Sequence, residues 1–144
     1  MNDPARQLVP LVVVDAANVV GSVPDGWWRD RRGAAERLRD RLARLADSGL
    51  DAVPGPVEIV LVVEGKARGV APVDGVEVVE ARGSGDDAIV DVVRERRDRR
   101  RIVVTADRGL RTRVAGLGAE VCGPSSIPRR PIPRRPIPHR PTRE

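Results

Sequence analysis

Residues 8–15 read LVPLVVVD, an apolar run rich in valine that ends on a carboxylate. Its length and composition are typical of a buried strand. Residues 57–64, VEIVLVVE, repeat the pattern and end on Glu64, and residues 101–107, RIVVTAD, end on Asp107. Buried strands of this aliphatic kind are characteristic of parallel sheets. The three runs therefore predict a parallel sheet with acidic residues at its strand ends.

Helical segments separate these strands. A loop containing Gly21, Pro24 and Gly26 is predicted after the first strand, followed by a helix over residues 30–47 with leucines at helical spacing. GSGDD, residues 83–87, predicts the start of a second helix that runs to about residue 98. Further elements are predicted as a helix carrying Leu110, Val114 and Leu117, and short strands at 76–81 and 119–123.

This alternation predicts an α/β fold with a central, mainly parallel sheet of four to five strands. Ligands of such sheets sit beyond the carboxyl ends of the strands. We expect one domain over residues 1–123, because the chain is too short for two comfortable ones. Residues 124–144 repeat IPRRP, IPRRP and IPHRP, which predicts a disordered Pro/Arg-rich tail.

The distribution of charge and of ligand residue types excludes several classes of protein. The chain has 26 basic and 21 acidic residues, and the tail holds six Arg and one Glu, so residues 1–123 balance at 20 of each. The tail is therefore the part expected to contact RNA electrostatically. Cys122 and His139 are single residues of their kind, which excludes an intramolecular disulfide and a zinc site. With no targeting or membrane-spanning segment, a cytoplasmic location is expected.

Acidic residues converge at one edge of the predicted sheet. Asp15, Glu64 and Asp107 end three strands, and Asp86 and Asp87 begin a helix at the same edge. Carboxylates without histidines or thiols form an oxygen-only site, which suits Mg²⁺ or Mn²⁺. Such an ion can polarise a phosphoryl oxygen and activate a water molecule. The pattern predicts a hydrolase that acts on phosphodiester bonds.

Three segments resemble a known family of nucleases. VVVDAANVVG (12–21), GDDAIV (85–90) and VVTADRGLR (103–111) resemble, in the same order, motifs of PIN-like nucleases of the NYN/YacP-like branch. The resemblance covers about residues 10–122. It implies a three-layer α/β/α fold and a metal-dependent ribonuclease. It also implies roles for individual residues, namely metal ligation by Asp15, Asp86 or Asp87, and Asp107, support or substrate contact by Asn18, and phosphate contact by Arg108.

Two departures from the family pattern leave the function open. Val90 replaces a glutamate often found in the central helix, so Asp91 or Glu64 would have to complete the acidic set. The insertion PDGWWRDRRG, residues 24–33, is unlike the generic branch and would suit a special substrate pocket. The alternatives to a ribonuclease are a nucleotide pyrophosphohydrolase or phosphatase that uses the same site, and an RNA-binding module whose metal site is degenerate.

Each candidate residue also has a purely structural interpretation. Asp86, Asp87 and Asp107 suit helix starts, where backbone N–H groups lack partners. Glu64 is more simply a solvated strand end, and Asp91 is more simply paired with Arg94. Asp15 precedes no evident helix, so it is the acid that structure explains least.

The insertion adds aromatic and basic candidates. We expect Trp27 in the core and Trp28 exposed, where it can stack on a base. Arg29 and Arg32 are candidates for phosphate contact, and Arg31 accompanies them. The charge run at residues 94–101 lies at the far end of its helix, so a solvated face is expected there.

Overall fold

Five parallel strands form the central sheet of the structure, a computed structural model that describes residues 9–51 and 53–128. The described residues form seven strands in all, which are, in chain order, β1 (Leu11–Asp15), β2 (Gly49–Leu50), β3 (Val53–Pro54), β4 (Glu58–Val63), β5 (Val76–Glu80), β6 (Arg101–Val104) and β7 (Glu120–Cys122). The sheet order is β5-β4-β1-β6-β7, and every neighbouring pair is parallel. β2 and β3 form a separate antiparallel pair.

In the described part of the chain, four α-helices connect and cover the strands. They are α1 (Ala16–Gly21), α2 (Arg31–Ala43), α3 (Gly85–Glu95) and α4 (Arg108–Ala115). None of the helices formed by residues 9–51 and 53–128 combines the length and the hydropathy of a membrane-spanning segment.

The two faces of the sheet bury separate apolar clusters. Val12 and Val14 of β1 pack with Leu38 and Leu42 of α2, whereas the alternating residues Leu11 and Val13 pack in the other cluster. That second cluster holds apolar side chains of α3 and α4, among them Ile89, Val93, Leu110 and Val114. Because alternate residues of a strand point to opposite faces, β1 is buried between two helical layers. The predicted three-layer α/β/α architecture is confirmed.

Several predicted element boundaries are wrong. Residues 16–21 form α1 instead of a loop, because Asp15 caps a helix that is too short to show an apolar period. α2 ends at Ala43 rather than near residue 47, and α3 ends at Glu95 rather than near 98. The β2–β3 pair was not predicted, since two-residue strands carry no readable pattern.

The charge run at residues 94–101 is only partly the solvated face that was expected. Arg101 is 6% exposed and donates to the backbone carbonyls of Val93, Arg99 and Leu117. The Arg99 side chain is also buried and pairs with Glu58 at 2.7 Å. These arginines satisfy backbone carbonyl groups and the half-buried Glu58 carboxylate near the amino ends of the strands.

The described chain continues past the predicted domain boundary at residue 123. Pro124–Ser126 form a 3₁₀ turn, and Ile127 is buried in the apolar cluster on the α2 side of the sheet. Ile127 is the first residue of the first IPRRP repeat. The rest of the repeats, from residue 129 onward, lies outside the described residues.

Candidate acidic site at the carboxyl ends of the strands

Asp15 is a buried carboxylate at the carboxyl end of the central strand β1. It is 5% exposed. Its Oδ1 accepts the backbone N–H of Asn18 at 3.3 Å, which caps α1, and its Oδ2 accepts the Thr105 hydroxyl at 3.0 Å. Asp15 therefore has a structural role that its sequence context did not suggest. A carboxylate offers about four lone-pair directions, so these two bonds leave acceptor capacity for a further partner.

Thr105 joins the ends of β1 and β6. Its hydroxyl oxygen donates to Asp15 and accepts the backbone N–H of Asp107 at 3.1 Å. Beside it, Asn18 Oδ1 accepts the backbone N–H of Ala106 at 2.8 Å. Asn18 thus supports the site by fixing the loop after β6. Thr105 was missed by sequence reasoning, although a hydroxyl residue two positions before a strand-end acid is a usable signal.

Glu64 follows β4 and contacts the start of α3. Its Oε1 accepts the backbone N–H of Gly85 at 3.1 Å. A Cβ atom on Gly85 would overlap the Glu64 carboxylate, so only glycine lets the two approach this closely. The side chain is half-buried, which corrects the expectation of a solvated strand end. Glu64 is held by the unpaired N–H groups at a helix start.

The two aspartates in the first turn of α3 differ in their surroundings. The helix is capped by Ser84, whose hydroxyl accepts the Asp87 N–H at 3.2 Å, so neither aspartate is the cap. Asp87 is exposed and pairs with Arg113 of α4 at 3.0 Å. Asp86 is half-buried and interacts electrostatically with Asp15, Glu64 and Asp107. Of the two, Asp86 is the one that faces the other acids.

The remaining predicted acids have clear local partners. Asp107 caps α4 by accepting the Leu110 N–H at 2.9 Å through Oδ1. Asp91 lies on the exposed side of α3 and pairs with Arg94 at 3.5 Å, as expected. Arg108, the first residue of α4, is exposed immediately after Asp107.

Two of the clustered carboxylates, Asp15 and Asp86, have raised pKa values. Burial raises the pKa of Asp15, and the charges of Asp86 and Glu64 raise it further, against the lowering effect of the bonds from Asn18 and Thr105. The pKa of Asp86 is also raised, first by burial and then by Asp107 and Glu64, against the lowering effect of the Arg113 charge. No ion pair within residues 9–51 and 53–128 involves Asp15, Glu64, Asp86 or Asp107. We call these four residues the acidic rim.

The donor chemistry of the acidic rim fits a hard divalent cation. Its side chains offer carboxylate oxygens alone, which Mg²⁺ and Mn²⁺ prefer. In the described part of the chain, no three Asp, Glu, His or Cys side chains converge closely enough to form a ready-made site. Val90, on the buried side of α3, packs in the apolar core, so that position contributes no ligand. Glu64 interacts electrostatically with Asp15 and Asp86, whereas Asp91 is exposed and pairs with Arg94.

The inserted segment lies beside the acidic rim. Trp28 is 53% exposed, as predicted, but Trp27 is half-buried instead of lying in the core. The two rings meet edge to face at 6.0 Å. Arg29 lies over the Trp28 ring, and the Arg32 side chain lies beside Gly69. Trp27 lines a cavity of about 120 Å³ that also includes Glu64.

Comparison with known proteins identifies the fold. The structure is similar to a crystal structure of Rae1 (YacP) from Bacillus subtilis, solved as its W164L mutant, with a TM-score of 0.66 over 83% of this chain and 72% of that one. The chain has a YacP-like, PIN-like fold. The two sequences are 17% identical. No family model matches the chain, and no curated protein matches its sequence. The fold expected from the NYN/YacP-like resemblance is therefore confirmed.

Proposed function

We propose that the chain is a divalent-metal-dependent ribonuclease that hydrolyses RNA phosphodiester bonds at the acidic rim. One observation carries the proposal. Asp15, Glu64 and Asp86 are partly or fully buried near one another and the pKa values of Asp15 and Asp86 are raised, yet none of the three forms an ion pair within the described residues. A bound cation would relieve this repulsion. The fold shared with Rae1 (YacP) supports the assignment at the level of architecture.

Different residues would bind the metal ion, align the site and contact the substrate. Mg²⁺ or Mn²⁺ would be held by the acidic rim, namely Asp15, Glu64, Asp86 and Asp107. Asp87 would lie further from the ion, because it pairs with Arg113. The ion would supply an activated water and a polarised phosphoryl oxygen. Asn18 and Thr105 keep the ends of β1 and β6 together, so that Asp15 and Asp107 stay aligned. Arg108, exposed beside the rim, would contact a substrate phosphate.

Variants of acidic-rim residues, compared with a variant of an exposed aspartate outside the rim, test this assignment. Asp15→Asn and Asp86→Asn should each lower Mn²⁺-dependent cleavage of a labelled single-stranded RNA by about 100-fold or more, because each removes a ligand charge. Asp91→Asn, on the exposed side of the same helix as Asp86, is the matched control and should cleave at the wild-type rate. Full cleavage by Asp15→Asn would refute the assignment, and so would cleavage that persists in EDTA.

A second function is favoured by the cavity beside Glu64. Its volume of about 120 Å³ suits a single planar ring, as a nucleotide pyrophosphohydrolase or phosphatase would require. Incubation of the protein with Mn²⁺ and either short RNAs or nucleoside triphosphates separates the two activities. Hydrolysis of nucleotides with intact RNA would select this function. Absence of Mn²⁺ binding near millimolar concentration by calorimetry would instead select a degenerate RNA-binding module.

A further inference from the structure

A small cavity opens between α1, the start of α2 and the turn after β4. Its volume is about 120 Å³, comparable with the ~150 Å³ engineered apolar cavity that accommodates benzene. Its lining includes Ala17, Val20, Trp27, Arg31, Glu64 and Gly65. Small side chains on α1 and in the turn leave this space open. The cavity therefore has room for one planar ring.

The chemistry of the walls suits a nucleobase. Trp27 presents a half-buried indole, and the Arg31 guanidinium lies over that indole at 5.3 Å from the ring centroid. Bases in single-stranded RNA stack on aromatic rings and on arginine guanidinium planes. Arg31 also brings positive charge to an anionic substrate. Trp28, in contrast, does not line the cavity and lies largely in solvent.

The position of the cavity connects it to the acidic rim. Glu64 belongs to both, and Ala16 and Ala17 of the cavity wall directly follow Asp15. A base bound in the cavity would therefore place the phosphate of the same or the adjacent nucleotide near the carboxylates.

We propose that this cavity binds one nucleobase of the substrate, with Trp27 and Arg31 as its stacking surfaces, and so selects the nucleotide next to the cleaved bond. The inference rests on the proposed function for its substrate class. It assigns base recognition to Trp27 instead of the more exposed Trp28.

Intrinsic fluorescence can test the cavity without catalysis. The chain has two tryptophans and no tyrosine or phenylalanine, so Trp27 is the only tryptophan in the Trp28→Phe variant and its fluorescence can be observed alone. In EDTA, titration of this variant with UMP or AMP should change the Trp27 emission to saturation. Ribose 5-phosphate, which lacks the base, should not. Trp27→Phe, which leaves Trp28 as the reporter, should show little response to either nucleotide.

A filled cavity provides the second measurement. Ala17→Leu, introduced into the Trp28→Phe protein, should weaken nucleotide binding about tenfold or more by occupying the stacking space. Ala115→Leu, at an exposed alanine of α4 far along the chain, is the matched control and should bind as before. In otherwise wild-type protein, Ala17→Leu should raise the KM for RNA cleavage.

The outcomes separate the two proposals. An equal response to ribose 5-phosphate, or unchanged affinity in Ala17→Leu, overturns the cavity assignment even if RNA is cleaved. Base-dependent binding in EDTA by a protein that cleaves no RNA keeps the cavity as a nucleotide site and refutes the nuclease.

Discussion

The two ends of the parallel strands hold charge in opposite ways. At the amino ends, three arginines each meet a glutamate across the sheet, Arg96 with Glu77, Arg99 with Glu58 and Arg100 with Glu120. At the carboxyl ends, the four acids of the rim lie at the same edge of the sheet, and within the described residues none of them forms an ion pair. Charges that the chain neutralises itself stabilise its fold, whereas charges left unbalanced in a partly buried place require an outside partner.

Removing the buried contacts of Arg101 at the amino ends of the strands should have the largest effect on stability. Arg101→Leu should lower the free energy of unfolding by about 3 kcal/mol, because buried carbonyl groups lose their donors. Arg100→Leu, which breaks an exposed pair, should cost at most about 1 kcal/mol. Urea denaturation of both variants measures the difference. Equal losses would mean that the buried contacts of Arg101 contribute no more than a surface ion pair.

Binding of a divalent cation at the acidic rim should stabilise the protein. A Mn²⁺ concentration about 100 times the Kd should add about 2.7 kcal/mol to the free energy of unfolding. Thermal denaturation with and without Mn²⁺ should show a smaller shift in Asp86→Asn. Glu77→Gln, a carboxylate lost from the amino end, should keep the full shift. The same shift in both variants would mean that the cation binds elsewhere.

The smallest effect is expected at an exposed ion pair. Arg100 holds the pKa of Glu120 below its usual range. The stabilisation from this pair is therefore present above the ordinary glutamate pKa and lost as the pH falls through the lowered one. Glu120→Gln should lower the free energy of unfolding by about 0.5 kcal/mol at neutral pH, since solvent screens the pair. In urea titrations the difference from wild type should vanish in acid, and a difference that persists there would assign it to another cause.

Much of the fold was readable from the sequence because its strands are buried on both faces. Continuous valine-rich runs indicate such strands. The acids that directly follow these runs in the sequence could therefore be assigned to the carboxyl ends of the strands. α1 was not predicted, because six residues are too few to show the spacing of apolar residues that is typical of a helix. Its cap, Asp15, was interpreted only as the end of a strand. Arg101 escaped because its partners are backbone carbonyls from three separate segments.

The candidate site was predictable as a set of acids but not as a geometry. Strand ends pointed to Asp15, Glu64 and Asp107, while the sequence alone could not choose between Asp86 and Asp87. That choice depends on Arg113, an exposed residue of another helix that pairs with Asp87. Thr105 and the cavity wall of Trp27 likewise depend on contacts between segments distant in the chain. Such contacts leave no local pattern.

The glycine at the start of α3 has a consequence for the history of this chain. A side chain at position 85 would displace the carboxylate of Glu64 from the start of α3, so a change at position 85 also changes the acidic rim. Homologous sequences that keep an acid after the second long strand should keep glycine before the paired aspartates, and those that lose the acid should be free to lose the glycine. This pairwise dependence would let sequence comparison alone distinguish lineages with an intact acidic rim from lineages that have abandoned it.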